Sequence, residues 1–404
     1  MLTDRIAPDG IFVKDFDSAT IHCAQPSPLV EQALELLDRL VEINTYTRNI
    51  NGINQAQNIF QEALKALGLE VERIRGIPGQ SGDILLAKTI AAVQSNRFTL
   101  LLGHVDTVYP EHLLRPKAER SEGRYLAPGS VDMKAGLIVV VAALQALHEE
   151  GVLQELPIAI AINADEEIGS PYSKSFFESL APSVSEALVF EGGRTHDVIV
   201  TARRGIAAHR VTVGGRSAHA GSNHKQGINA IAHAAQLILD IEALTDYERA
   251  ITANVGVVSG GKTFNAVPDF AQLEFEVRCN LDNDFQTMVK KIAELEQIRK
   301  QVSGLTIQFE ELACSPPMVE TQKSRALAER FIAAGEAVGV TQKIHEGPVG
   351  GTSDANILSA LKIPTIDGLG PYGSCAHNEA EEFFIIESLG PKILVLAQYL
   401  RTKS

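Results

Sequence analysis

Short, wholly apolar runs that stop at an imidazole or a carboxylate recur along this chain and narrow the architectures open to it. Residues 98–103 (Phe-Thr-Leu-Leu-Leu-Gly) are followed by His104, and residues 158–162 lead to Asp165, Glu166 and Glu167. Residues 187–190 stop at Glu191. Runs this short and uniformly apolar suit strands buried on both faces, as in a parallel sheet. Residues 134–148 read as a helix between the first two. Ser27-Pro28, an N-cap followed by proline, opens a helix with an apolar stripe at Val30, Leu34, Leu37 and Val41. A second helix is predicted over 54–67, stopped by Gly68. Residues 1–26 lack periodicity and read as an extended arm.

Between about 203 and 312 the rhythm changes. The pattern predicts strand 209–213, helix 226–241, strands 252–258 and 270–278, helix 284–301 and strand 304–310. This β-α-β-β-α-β order is the ferredoxin-like arrangement, which closes its own sheet and helix layer. Alternation then resumes with a helix near 323–338 and short strands around Ile344 and 363–366. The expected fold is therefore α/β. A mostly parallel-sheet domain built from 1–202 and 313–404 is interrupted by an inserted domain at 203–312. At 404 residues the chain is also too long for one compact core.

Charge narrows the partners. Fifty acidic against 36 basic residues give a net charge of −14, which repels phosphate backbones and anionic lipid. Nucleic acid and membrane are therefore not expected partners. The sequence reading finds no run approaching the ~18–20 apolar residues of a membrane span and no secretory signal at the N-terminus. The four cysteines, Cys23, Cys279, Cys314 and Cys375, are scattered without a Cys-x-x-Cys pair. A reducing, cytoplasmic setting is the simpler expectation.

The chemistry-bearing residues sit where an open α/β sheet gathers ligands, beyond the carboxyl ends of its strands. In His104-Val105-Asp106, residues i and i+2 share a face, so Asp106 can orient the imidazole. Asp132 in Gly-Ser-Val-Asp-Met-Lys-Ala-Gly stands at the mouth of a helix, where it could equally be a cap. Three consecutive acids at 165–167 repel one another unless a cation offsets them, although a solvated turn is the plain alternative. Glu191 precedes two glycines, and His377 lies in Cys375-Ala376-His377-Asn378-Glu379, whose plain reading is a surface turn. Gly350-Gly351-Thr352-Ser353-Asp354 lacks the Gly-Lys-Ser/Thr ending of a phosphate loop.

Taken together, His-x-Asp, Asp before Lys-x-Gly, Glu-Glu, Glu-Gly-Gly and a late His resemble the two-zinc exopeptidase family. That family includes glutamate carboxypeptidases, acetylornithine deacetylase and succinyl-diaminopimelate desuccinylase. The likeness extends over nearly the whole chain after the N-terminal arm, and the family role of its inserted domain is lid and dimerisation. The resemblance implies that His104 and Glu191 hold one metal, Glu167 and His377 the other, and Asp132 bridges both. It makes Glu166 the general acid/base and Asp106 the partner of His104, with a cis peptide at Asp132–Met133. Two Zn²⁺ are the expected cofactors, with Mn²⁺ or Co²⁺ able to occupy the same ligands.

The segment Gly215-Arg216-Ser217-Ala218-His219-Ala220-Gly221 matches the family stretch whose His completes the oxyanion site. Asn265 and Arg278 match positions that hold the substrate's carboxylate, and Gly350, Gly351 and Thr352 match a turn that lines the pocket. A bidentate Arg is the physical reason an exopeptidase can demand a free terminus. The implied function is metal-dependent hydrolysis of an amide bond beside a free carboxylate, releasing a C-terminal glutamate or similar amino acid from a small peptide or N-acyl amino acid. An N-acyl-amino-acid deacylase or desuccinylase and a non-catalytic metal-binding relative are the alternatives, and a homodimer through the inserted domain is expected.

Overall fold

The computed structural model describes residues 27–110, 118–195 and 197–403. The N-terminal arm expected over 1–26 lies outside them. The chain divides into two compact units. One runs to Thr201 and resumes at Glu320, and the other spans Ala202–Val319.

The first unit is built on a six-stranded sheet. Its strands, in spatial order, are Glu70–Ile74, Ile84–Lys88, Ile158–Asn163, Phe98–His104, Val184–Val189 and Thr365–Ile366. The last four pair in parallel, and the first two are antiparallel additions that the sequence pattern did not reveal. Phe98–His104 and Ile158–Asn163 are buried along their whole length, as apolar runs in a doubly covered sheet must be. Val184–Val189 ends one residue earlier than expected, leaving Phe190 and Glu191 just beyond it. The second helix begins at Ile50 rather than 54, because the Asn49 side chain accepts from the amide of Gly52 and caps it.

Helices Pro28–Val41, Ala135–Glu149, Gln322–Ala337 and Leu389–Arg401 share one apolar core with the sheet. Leu37, Leu144, Phe331 and Tyr399 are among its buried members. Each such side chain contributes about 1.5–3 kcal/mol through removal from water. Contrary to the sequence reading, the 20-residue segment Ser130–Glu149 is long and apolar enough to cross a membrane, yet most of it is buried in this core. A small antiparallel sheet, Gly373–Ser374, Phe383–Ile385, Arg124–Leu126 and Glu119–Ser121, completes the unit.

The second unit has the element order Gly205–Gly214, Ala230–Glu242, Thr252–Gly260, Phe270–Cys279, Asp282–Lys300 and Thr306–Ser315, which is β-α-β-β-α-β. Its antiparallel sheet runs Thr252–Gly260, Phe270–Cys279, Gly205–Gly214, Thr306–Ser315. The first helix starts at Ala230, not 226, because Asn229 caps it. The unit also continues past 312, since its last strand runs on to Ser315. On the edge strand Val257 and Val258 are exposed, as are Ile231 and Leu239 on the first helix.

Candidate metal centre

Parallel pairing sets the site. His104 is in register with Asn163, and Leu102 with Val189, so all three strands end at one edge of the sheet. Asp132 reaches the same edge from the turn that opens helix Ala135–Glu149, and its peptide bond to Met133 is cis. Gly136 allows that helix to lie against the end of Val184–Val189, because a Cβ there would fall 1.9 Å from the Phe190 carbonyl oxygen. His377 comes from the loop between Gly373–Ser374 and Phe383–Ile385 and adopts φ 66°.

The ligands expected from sequence meet in two groups, His104–Asp132–Glu191 and Asp132–Glu167–His377, with donor atoms within 4.8 Å of one another in each. Asp132 is common to both. Its Oδ1 lies 3.3 Å from His104 Nε2 and its Oδ2 3.1 Å from His377 Nε2. Glu191 Oε1 is 3.7 Å from His104 Nε2, and Glu167 Oε2 is 3.4 Å from His377 Nε2. Metal–ligand bonds of about 2.0–2.1 Å in tetrahedral geometry put donor atoms ~3.3 Å apart, so these spacings and this imidazole–carboxylate set fit one divalent cation per group. Glu166 belongs to neither group, although its Oε2 lies 3.9 Å from His104 Nε2.

Buried neighbours hold these residues in place. His104 Nδ1 lies 3.0 Å from the main-chain oxygen of Asp106, which can only accept, so Nδ1 carries the proton and Nε2 is the nitrogen left to bind a metal. The Asp106 carboxylate, 3.3 Å from the same Nδ1, also accepts from Thr47 Oγ1 and from the amides of Glu166 and Glu167. It therefore fixes the turn that carries both glutamates as well as the imidazole. Glu382, absent from the sequence reading, accepts from the amides of Gly129, Val131 and Asp132 and from the Tyr109 hydroxyl. It stands directly before the apolar run Phe383-Phe384-Ile385, the reverse of the order that marked Glu191, so an acid ending an apolar run does not find it.

Crowding of acids shows in the protonation of the cluster. Burial pushes Glu166 well above the usual carboxylate range, and Glu191 and Asp354 reinforce the effect. Burial and the Asp132 charge push Glu167 up to about 7. Hydrogen bonds to Asp132 and Glu167 raise His377 to about 10. Burial opposes ionisation of Asp132, but the bonds to His104 and His377 outweigh it and hold its carboxyl below the usual range.

The sign of the pH effect follows. His377, raised above its ordinary 6.5, stabilises the metal-free fold fully below pH 6.5 and loses that contribution as pH climbs through about 10. Glu167, raised from 4.5, acts in the same direction between pH 4.5 and 7. The metal-free protein is thus expected to melt at falling temperature from pH 6 to 9, and added zinc to raise the midpoint more at pH 9, where fewer protons must be displaced. Scanning calorimetry with chelator and with Zn²⁺ checks this, and a flat metal-free profile would contradict it.

The second unit holds other expected residues. Ala218–His219 pairs with Ala266–Val267, and the amide of Ala220 donates to the carbonyl of Asn265, which brings His219 and Asn265 side by side. His219 Nδ1 accepts from the amides of Gly221 and Ser222, so in the neutral ring Nε2 carries the proton, on an exposed side chain. Arg278 forms a bidentate pair with Glu276 through Nε and Nη2 at 2.8 and 2.9 Å. In the first unit Gly350, Gly351 and Thr352 lead into Ser353, the cap of helix Asp354–Ala360.

Residues 100–402 match the model of Peptidase family M20/M25/M40. The chain is 28% identical over 369 residues to carboxypeptidase G2 of Pseudomonas sp. (strain RS-16), covering 91% of this chain and 88% of that protein. It is 28% identical over 301 residues to a probable succinyl-diaminopimelate desuccinylase of Staphylococcus aureus (strain Mu50 / ATCC 700699), covering 63% of this chain and 71% of that one. Among solved structures, a tripeptidase from Staphylococcus aureus is similar with a TM-score of 0.74 at 23% identity, covering 92% of this chain and 98% of that chain, which shows a shared fold.

Proposed function

The chain belongs to peptidase family M20/M25/M40 and is a hydrolase, and from that premise we propose that it cuts an amide bond beside a free carboxylate, releasing a C-terminal glutamate or similar amino acid. The observation that carries this reading is Asp132, each of whose oxygens faces a different imidazole, with Glu166 beside the pair but outside both donor groups. His104 and Glu191 would hold one metal ion and Glu167 and His377 the other, with Asp132 shared by the two donor groups. Zinc suits this donor set best. When bound, the ions supply Lewis-acid polarisation of the scissile carbonyl and acidify water.

The rest is done by side chains. Glu166, kept basic by burial and neighbouring acids, takes the proton of the attacking water at its carboxylate and hands it to the leaving nitrogen. Asp106 keeps His104 in the tautomer that presents Nε2 and holds the backbone of Glu166 still. His219 offers its Nε2–H to the developing oxyanion. Arg278, assisted by Asn265, exchanges Glu276 for the substrate's carboxylate, and Gly350, Gly351 and Thr352 line the pocket. The second unit is read as a ferredoxin-like lid, and its exposed Val257, Val258, Ile231 and Leu239 as the contact of a homodimer. Sedimentation of only monomer at micromolar concentration would count against that dimer.

Amino-acid release from a panel of N-benzoyl, N-acetyl and N-succinyl amino acids and dipeptides by zinc-loaded protein tests the reaction. Glutamate-selective release from the N-benzoyl compounds or dipeptides is the expected result. Preferential turnover of acetyl or succinyl compounds moves the chain to the deacylase side of the family, and no turnover with metal bound removes the catalytic reading.

A further inference from the structure

The turn bearing Glu166 and Glu167 is tied at both ends to one buried carboxylate that lies outside both donor groups. Asp354, 2% exposed, accepts from Asn163 Nδ2 at 2.7 Å and from the Ser170 hydroxyl. Asn163 is the last residue of strand Ile158–Asn163, just before the turn, and Ser170 is the residue that closes it. Its amide donates 2.8 Å to the Asp165 carbonyl, and it adopts φ 55°. Glu166–Ile168, the short helical turn, lies between those two attachment points.

Asp354 is also the first residue of helix Asp354–Ala360, separated from the turn Gly350-Gly351-Thr352 by Ser353 alone. Ser353 anchors that junction twice. It forms a capping box with Asn356, and its hydroxyl donates 2.6 Å to Asp367 Oδ2. A carboxylate at this place therefore joins two otherwise separate loops, one carrying the general base and the other the expected pocket lining.

We propose that Asp354 is a positioning residue that locks the Glu166 turn to the glycine-rich turn, so that base and bound substrate keep a fixed separation during proton transfer. The inference rests on the role given above to Glu166. Both Asp354 oxygens accept a hydrogen bond from a buried group, and Asn163 Nδ2 also donates 3.4 Å to the Ser170 hydroxyl, so the three side chains form one buried network. Displacing a catalytic group by about 1 Å costs on the order of 100-fold in rate, and loss of an outer partner typically costs ~10–100-fold.

The test compares kcat and KM of zinc-loaded wild type, Asp354→Ala, Asp354→Asn and Glu166→Gln on the best N-benzoyl amino acid of the panel, with metal content measured for each. Asp354→Ala should lower kcat by ~10–100-fold with KM changed less and both metals retained. Asp354→Asn should recover most of kcat, because its amide oxygen still accepts from Asn163 and its amide nitrogen can donate to the Ser170 oxygen. Equal kcat in Asp354→Ala and wild type overturns the proposal, as does an Asn variant no better than Ala. If Asp354→Ala does not fold, Ser170→Ala removes the Ser170 attachment and its contact with Asn163 but keeps the Asn163–Asp354 bond: a lower kcat at unchanged KM supports the proposal, and an unchanged kcat overturns it. A Glu166→Gln variant that still turns over substrate at the wild-type rate removes the reading on which the proposal rests, a failure distinct from that of Asp354.

Discussion

Glu166→Gln is expected to lower kcat by ~10²–10⁴-fold, the usual worth of a positioned general base, while the protein keeps its metal. The substitution is nearly isosteric, and what it removes is the capacity to accept a proton. The Glu166 amide still donates to Asp106, so the turn stays in place. Because the Glu166 carboxylate belongs to neither donor group, both groups keep their side chains. Glu167→Gln, one residue on, should behave differently. That carboxylate faces His377, and its loss takes a charged ligand from the second group. Activity and metal content should fall together there. Single-turnover kinetics beside metal analysis separates the two. A Glu166→Gln protein that keeps more than a tenth of wild-type kcat, or that loses metal along with activity, would remove Glu166 from the base role.

That two adjacent glutamates can be told apart depends on information of different reach. Four of the five residues placed in the two donor groups from sequence follow a local signal, while His377 lies in a segment whose plain reading is a surface turn. His104 ends one buried apolar strand and Glu191 lies two residues past another, Glu167 stands in a run of acids, and Asp132 lies in the turn before a helix. Parallel register converts these local facts into a shared edge, because strands that pair side by side end side by side. The second unit was legible for a similar reason, since its strands alternate inward and outward residues in period two.

What escaped is non-local or masked by ambiguous chemistry. Strands Glu70–Ile74 and Ile84–Lys88 join the sheet antiparallel at its edge, and the outer one is short and half-wet, so no continuous apolar run marks it. The edge strand Glu119–Ser121 of the small sheet is mostly exposed and equally silent. The start of the second helix depended on a cap at Asn49 that periodicity does not register. Ser130–Glu149 shows the converse problem, since apolar composition cannot distinguish a core helix from a membrane span. Arg278 was read from a motif, but the carboxylate that occupies it, Glu276, is two residues away on the same strand and face. A substrate must compete with that internal partner.

Glu382 is the most consequential of the residues that sequence did not supply, and its removal should be among the most damaging single changes in the first unit. Four donors converge on it: the amides of Gly129, Val131 and Asp132 and the hydroxyl of Tyr109. It is 1% exposed, so no bulk water can replace it. Glu382→Ala takes this acceptor from all four. At ~1–3 kcal/mol for each buried unsatisfied group, and with part of the loss recovered by relaxation, a destabilisation of roughly 3–5 kcal/mol is expected. Glu382→Gln should recover little. One carboxylate oxygen receives the amides of Val131 and Asp132 and the other receives Gly129 and Tyr109, so either amide orientation sets an NH₂ group against donors. The same bonds aim Asp132 between His104 and His377, so metal affinity should drop by ~10–100-fold as well. Thermal unfolding of the chelated protein and zinc titration against a competing chelator measure the two effects separately. If Glu382→Ala melts with the wild type, the buried contacts at Gly129–Asp132 are not what holds the loop. If it melts early but binds zinc as tightly as before, then Asp132 is positioned by its imidazole partners alone.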